Sequence, residues 1–278
     1  MKSHSLIFLA FLLWSTTPVF VRESGLPLAN FVVCANAFGI LLLCLFVPRM
    51  ARRLRQLPPG KIALLGLFVA VNVWSSIEAF ALTSISNFMI LHYAAPVIVA
   101  VAAPFLLGEK PSARTWEALA VSMVGLLAVG GQGLRLGSEN DLRGLGLALL
   151  SAFAYAVCIM LSRRLAREGA DSFAVAVGSS LVLPLVVLPM VDWSAYTTRS
   201  ATIACGAGAF HLSIASTIYL VGLAGVSAAT AGILGYFEIL FGIAWGSIIY
   251  GEPVTAWTFL GAVCIVVAGW LVLGEKTP

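Results

Sequence analysis

The sequence predicts an all-α integral membrane protein of ten transmembrane helices, built from two inverted-topology five-helix repeats with both termini cytoplasmic. Three observations predict it. First, 60% of the 278 residues are hydrophobic, only 10% are charged, and the mean hydropathy is +1.02, which is too little charge for a soluble domain of this size. Second, the apolar residues fall into runs of about 17–24, near the ~20 that a helix needs to cross ~30 Å of hydrocarbon. Third, the chain is written twice. Moved forward by 143 positions, residues 84–131 match 227–274 without a gap. Ser84 meets Ser227, Ile90-Leu91 meets Ile233-Leu234, Tyr93 meets Tyr236, Gly108-Glu109 meets Gly251-Glu252, Ala113 meets Ala256, Thr115 meets Thr258 and Gly131 meets Gly274. A separate shift of 141 places Trp14 on Tyr155 and Arg22 on Arg163.

The spans run over about 5–21, 28–47, 62–82, 84–107, 114–131, 144–162, 172–191, 201–222, 227–250 and 255–273. The first five form one repeat, 1–131, and the last five a second, 144–278, with a polar linker at 132–143 between them. Alternating ten-residue segments are absent, which removes a β-barrel. Helices satisfy their own backbone, as lipid demands. The first span has Lys2 ahead of an apolar run, as a signal peptide does. The run continues into Pro18 and Arg22 without a small-x-small cleavage site, and it has a repeat counterpart in 144–162, so it is read as a retained helix.

Orientation follows from lysine and arginine. With ten spans, one side holds Lys2, Arg49, Arg52, Arg53, Arg55, Lys61, Lys110, Arg114, Arg163, Arg164, Arg167 and Lys276. The other holds Arg22, Arg135, Arg143 and Arg199. The positive-inside rule puts both termini in the cytoplasm. The same asymmetry accounts for the net charge of +4 without nucleic acid. The basic run from Arg49 to Arg55 is expected to meet anionic headgroups. Five helices per repeat is an odd number, so the second repeat enters the membrane from the opposite side, as in carriers that alternate access around a central site. No Walker sequence is present for direct ATP drive. The five cysteines, Cys34, Cys44, Cys158, Cys205 and Cys264, all lie in spans without a CxxC pair. They are read as packing residues, with no metal site and no cofactor.

Certain short motifs resemble a known family. They are Leu13-Trp14-Ser15, the span ending in Leu-Leu-Gly108-Glu109 before a helix ending Gly125-Leu-Leu-Ala-Val-Gly130, and its copy Tyr250-Gly251-Glu252 before a helix ending Gly269-Trp270. Together they resemble the drug/metabolite transporter superfamily, in its ten-helix, two-repeat EamA type. Trp14-Ser15 and the overall size also resemble that superfamily's aromatic amino-acid exporters, the YddG type. Related exporters carry threonine, homoserine, cysteine-pathway metabolites, purines or drugs. The resemblance implies an exporting permease of the bacterial inner membrane. It implies a central cavity between the halves, lined by helices one, three, four, six, eight and nine.

The candidate cavity residues are Trp14, Glu78, His92, Tyr93, Pro96, Tyr155, His211, Tyr236 and Glu238. Pro96, in the middle of its span, frees a backbone carbonyl, tolerated where it faces protein or a wet cavity. His92 is ionisable near mid-span; it serves either function or a hydrogen bond to a neighbouring helix. Tyr93 with Tyr236, and Trp14 with Tyr155, are repeat mates whose rings suit a planar or apolar solute, though packing explains any one of them as well. Glu238, in the middle of span nine, binds a solute amine, carries a proton, or is a protonated structural acid. Its repeat mate is Ala95. Glu78 lies about one turn from the end of span three and reads as an interfacial acid or a ligand. Asn72, Asn87, Ser75, Ser76 and Tyr219 are further polar candidates. Glu109 and Glu252 stand before helices and read as structural companions of helix N-termini. Gly242 and Gly246 form a GxxxG suited to close packing.

An intramembrane enzyme lacks its usual marks here: there is no HExxH, no GxSxG, and three histidines of which His4 is terminal. A channel would show a polar stripe or charge ring. The duplication favours a carrier of small molecules, amino acids among them, without ATP, embedded in lipid as a monomer or weak dimer. Glu238 and His92 permit proton antiport; a uniporter is equally compatible.

Overall fold

The computed structural model describes residues 3–130 and 139–273. Lys2, Gly131, Arg135, Gly274, Lys276 and positions 132–138 of the expected linker lie outside them. Among the described residues, nine helices are long and apolar enough to cross a membrane. They are α1 (Ser3–Ser24), α2 (Leu28–Phe46), α3 (Pro59–Leu82), α4 (Asn87–Leu106), α6 (Asp141–Arg167), α7 (Ser172–Met190), α8 (Thr198–Leu223), α9 (Ala228–Tyr250) and α10 (Ala256–Leu273). Between α4 and α6 lies α5, Ala113–Val129, of 17 residues. The protein is a multi-pass, all-helical membrane protein.

Two boundaries differ from expectation. The helix containing α6 already begins at Glu139 and ends at Arg167, so the end of the expected linker is its first turns. Asp141 stands near the positive helix start and arginines at the negative end; a hydropathy window does not register such polar turns. Several spans are also broken. α1 turns at Ser15 and Thr16, α4 at Tyr93 and Ala94, α7 at Leu181 and α9 at Tyr236, while Ala209–Ser216 of α8 is π-helical.

The chain packs as two compact units, and they are not the two sequence halves. One combines 1–70 with 161–224; the other combines 71–160 with 225–278. The first therefore holds α1, α2, α7 and α8, the first half of α3 and the last two turns of α6. The second holds α4, α5, α9 and α10 with the remainder of α3 and α6.

In the first unit, α8 packs on α1 and α2 through glycines. A Cβ on Gly39 would stand 2.7 Å from Leu212 Cβ and 2.8 Å from the Gly208 carbonyl oxygen, and one on Gly208 would fall on the Ala35 carbonyl. Helices without side chains at the crossing gain dispersion contact at short range. Arg163, buried to 3% exposure, donates to the carbonyls of Leu223 at 2.8 Å and Ala224 at 2.7 Å. It thus closes the C-terminal end of α8, where free carbonyls and the helix dipole favour a cation. Asn30 bonds the backbone of Asp192 in both directions, and the Tyr196 hydroxyl donates to the Asn30 carbonyl. These bonds fasten the α7–α8 connection to the first turn of α2. Lys61 with Glu168 and Arg53 with Asp171 are part-exposed ion pairs, each worth about 0–1 kcal/mol. The Lys61 hydrogen bonds hold the Glu168 carboxyl below its usual range, helped by Arg164.

In the second unit, α5 and α10 meet backbone to backbone at Gly125 and Gly261, and α4 meets α9 where Pro96 rests on Gly232. The helix starts repeat as the sequence does. Ser84 and its mate Ser227 each accept an N-cap bond, from Asn87 and Thr230. Ser112 and the residue 143 further on, Thr255, accept from Thr115 and Thr258. Each such cap is worth about 1 kcal/mol. Glu109 is a structural companion of a helix start, though not of the helix that follows it: its Oε2 accepts from Ala228 N of α9 at 2.8 Å, while Ser112 caps α5. The expected GxxxG of α9 is not a packing seam within this unit. Nothing stands within 4 Å of a Cβ on Gly242, and one on Gly246 meets the Glu252 side chain.

The Gly208→Ala variant should lose about 1–3 kcal/mol of stability through overpacking, whereas Gly242→Ala should lose none. Thermal unfolding of the purified variants in detergent measures this; indistinguishable transitions for the two would contradict the packing described.

Candidate functional site

Candidate residues cluster around the helix breaks of each unit. In the second unit, Pro96 has no N–H for the helix ladder, and Val97 N turns to the Ala94 carbonyl instead. The Tyr93 carbonyl is thereby released from its i+4 donor. It accepts instead from the Tyr236 hydroxyl at 2.7 Å, and that hydroxyl also lies 3.5 Å from Met123 Sδ. The two tyrosine rings stand 6.0 Å apart. Tyr236 is wholly buried, so it acts as a tie across the kink, and Pro96, also buried against Gly232, forms the kink. The Tyr236 turn restarts α9 at Phe237, which places Glu238 in the first turn of the new segment. Glu238 is half-buried.

One turn before the kink, His92 lies between two rings. Phe88 stacks on one face at 5.0 Å and 15°, Tyr155 of α6 on the other at 5.3 Å and 14°. Tyr93 stands edge-on at 88°. His92 Nδ1 is 2.7 Å from Ser151 Oγ. Ser151 is wholly buried and also contacts Asn72 Nδ2 and Ser76 Oγ of α3. Glu78, further along α3, is half-buried.

The first unit repeats the theme with other residues. Pro18 deprives the Trp14 carbonyl of its ladder partner, and Thr17 Oγ1 donates to it at 2.6 Å. Ser15 and Thr16 hydroxyls donate likewise to Leu12 and Leu13. Trp14 Nε1 donates to the His211 carbonyl at 3.2 Å, in the π-helical stretch, where the ladder is widened and carbonyls are exposed. The His211 ring lies 2.9 Å from Thr16 Oγ1 through Nε2 and meets Phe20 edge-on at 5.5 Å. Trp14 contacts Phe11 and Tyr219 at 5.5 and 5.2 Å.

The model of the EamA-like transporter family matches this chain twice, over residues 1–131 and 142–274. The chain belongs to the EamA-like transporter family. EamA-like proteins are membrane transporters rather than enzymes, which agrees with the drug/metabolite transporter resemblance of the motifs at Trp14, Gly108-Glu109 and Gly251-Glu252. No curated protein matches the chain. Among solved structures, 29 chains match. One of them, a crystal structure of a protein 18% identical, covers 97% of this EamA-like chain and 96% of its own, with a TM-score of 0.80. At that identity the likeness is one of fold.

The structure brings together Tyr93, Tyr236 and, with them, Glu238; His92 and Tyr155; Trp14 and His211. Trp14 and its repeat mate Tyr155 belong to different units. Sequence reasoning missed Ser151, Phe88, Phe20, Thr16 and Thr17. The helical spacing of Ser151 to Tyr155, and the Ser-Thr-Thr run directly before Pro18, were the available signals. Among the described residues no group of three or more His, Cys, Asp and Glu is placed to hold a metal ion. Cys34 and Cys205, both free thiols, bring their sulfurs to 3.8 Å.

Tyr236→Phe keeps the ring and removes the bond to the Tyr93 carbonyl. The variant should lose about 1–3 kcal/mol, the cost of an unsatisfied buried acceptor. Thermal unfolding checks it; a wild-type transition would show that the kink needs no tie.

Proposed function

We propose that the protein is a secondary, non-ATP-driven exporter of small metabolites, most of all amino acids including aromatic or other apolar ones, working by alternating access. The observation that carries the transporter reading is the double family match, one per half of the chain. Two repeats of five helices, the second inverted, give a carrier two exchangeable halves. We take 1–131 and 144–278 as those repeats, α5 as a tenth span, both termini as cytoplasmic, and the bacterial inner membrane as the location. The membrane lipid and a small solute are the partners, with the chain a monomer or weak dimer.

The substrate class is supported by chemistry. The candidate residues are aromatic rings, two histidines, Pro96 and two carboxylates, Glu78 and Glu238, several of them at helix breaks. Rings of Trp14, Tyr93 and Tyr155 offer stacking and edge contacts to an apolar side chain. Glu238 offers a counter-charge to an amine or a proton site, and His92 a second titrating group for antiport. Trp14 and its companions give the aromatic amino-acid exporter branch its support; a purine or drug exporter of the same fold would use the same rings without the carboxylate.

The test is counterflow in proteoliposomes loaded with a panel of amino acids, with labelled phenylalanine or tryptophan outside. Accumulation driven by internal aromatic amino acids is expected. Signal only with threonine, a cysteine metabolite or a purine would discard the aromatic branch, and silence across amino acids, purines and drugs would discard the carrier. In the same assay Glu238→Gln should abolish exchange and Trp14→Ala should raise the half-saturation concentration. Wild-type kinetics across pH in Glu238→Gln would remove the carboxylate from the mechanism.

A further inference from the structure

The hydrogen bonds around Ser151 form a chain whose directions are all determined. The Asn72 side-chain atom 2.9 Å from the Ser151 carbonyl oxygen must be the amide nitrogen, because a carbonyl only accepts. The same nitrogen lies 3.1 Å from Ser151 Oγ, so that oxygen accepts there. Ser76 Oγ is 2.7 Å from the Asn72 backbone carbonyl, again an acceptor only, so the Ser76 proton is directed there. Ser76 is then the acceptor in its 2.8 Å contact with Ser151 Oγ, and Ser151 spends its one proton on Ser76. The remaining contact of Ser151 Oγ, 2.7 Å to His92 Nδ1, therefore takes its proton from the imidazole. A hydroxyl oxygen has one proton and two lone pairs, and all three are now assigned.

From this chain we infer that Asn72, Ser76 and Ser151 are positioning residues that hold the neutral His92 as its Nδ1–H tautomer, so that Nε2 receives an N–H or ammonium donor of the transported solute. The other ring nitrogen is set by what the first one bonds, and Nε2 has no hydrogen-bond partner among the described residues. The setting suits a positive donor. Phe88, Tyr155 and Tyr93 pack around the imidazole and fix its plane. The segments 71–107, 144–162 and 227–250 contain no Lys or Arg, while Glu78 and Glu238 are their acids. These segments thus carry no cationic side chain for an anionic group and two acids that favour an amine. The inference rests on the exporter reading above for its solute, and on geometry alone for its tautomer.

The experiment is ¹⁵N NMR of the histidine-labelled full-length protein in detergent at about pH 8.5, where an ordinary imidazole is neutral. His92 is identified by the signals missing from His92→Gln. Its Nδ1 should carry the proton and its Nε2 should have the shift of a bare nitrogen. Phenethylamine and phenylalanine should move the Nε2 resonance, and phenylpropionate, which lacks the amine, should not. In Ser151→Ala the tautomer should change and phenethylamine should bind about tenfold more weakly. Ser151→Thr, which keeps the hydroxyl, should restore the tautomer and covers the case that the alanine variant does not fold. A protonated Nε2 in the wild type overturns the inference, as does an Nε2 that ignores all three probes or follows phenylpropionate alone. Counterflow with an unmoved Nε2 sinks this inference and leaves the exporter; an Nε2 moved by phenethylamine without counterflow does the reverse.

Discussion

Backbone carbonyls inside an apolar slab have no water to bond, and each one that a helix releases must find another donor. This protein releases carbonyls at several mid-span positions and answers three of them from its own side chains. Pro96 and the turn before it free the Tyr93 carbonyl, and Tyr236 bonds it. Pro18 frees the Trp14 carbonyl, and Thr17 bonds it. The π-helical stretch of α8 exposes the His211 carbonyl, and Trp14 and Ser216 both bond it. The donors are the same aromatic and hydroxyl residues that make up the candidate sites. Breaking the helix and building the site are thus one event in this fold. An aromatic that ties a kink is fixed in place, and the rings stacked on it inherit that position.

Close packing allows the breaks to survive. Gly39 with Gly208, Gly125 with Gly261, and Pro96 with Gly232 bring backbones together where a single methyl would intrude. In lipid the attraction between helices comes from such contact and from interhelical hydrogen bonds, since hydrocarbon is as apolar as leucine. The helix ends are secured separately. The N-caps Ser84, Ser112, Ser227 and Thr255 stand 143 positions apart in pairs, so the duplication visible in sequence is also a duplication of helix starts. The two glutamates of the repeat have diverged in setting. Glu109 is buried on the start of α9, while Glu252 is exposed and lies under Gly246.

Most of the helical framework was legible in sequence because an apolar run of the right length has few alternatives in a membrane. The ends were less so: polar first and last turns, as at Glu139 and Arg167, extend helices without adding hydropathy. The kink at Pro96 was legible, since proline removes a donor wherever it stands. The restart at Tyr236 was not, because α9 has no proline there. Glu238 therefore read as a mid-span acid, when it opens a helical segment. The compact units could not be read at all. Repeats are found by similarity along the chain, whereas the units follow contact, and contact joins helices from both halves. Ser151 was missed for a related reason. One serine in an apolar helix carries only its spacing to Tyr155 as a signal, and its role shows once Asn72, Ser76 and His92 are seen around it.

The position of Glu238 bears on what such a site can select. An isolated carboxylate in hydrocarbon is expensive, and the usual remedy is a lysine or arginine partner. The surrounding segments supply none. At the Tyr236 break the backbone offers little, since Tyr236 N bonds the Ile233 carbonyl and Ile239 N the Tyr236 carbonyl. An internal Arg would satisfy such a carboxylate permanently. Without one, a cation brought in by a solute is the compensation that the exporter reading proposed above would supply.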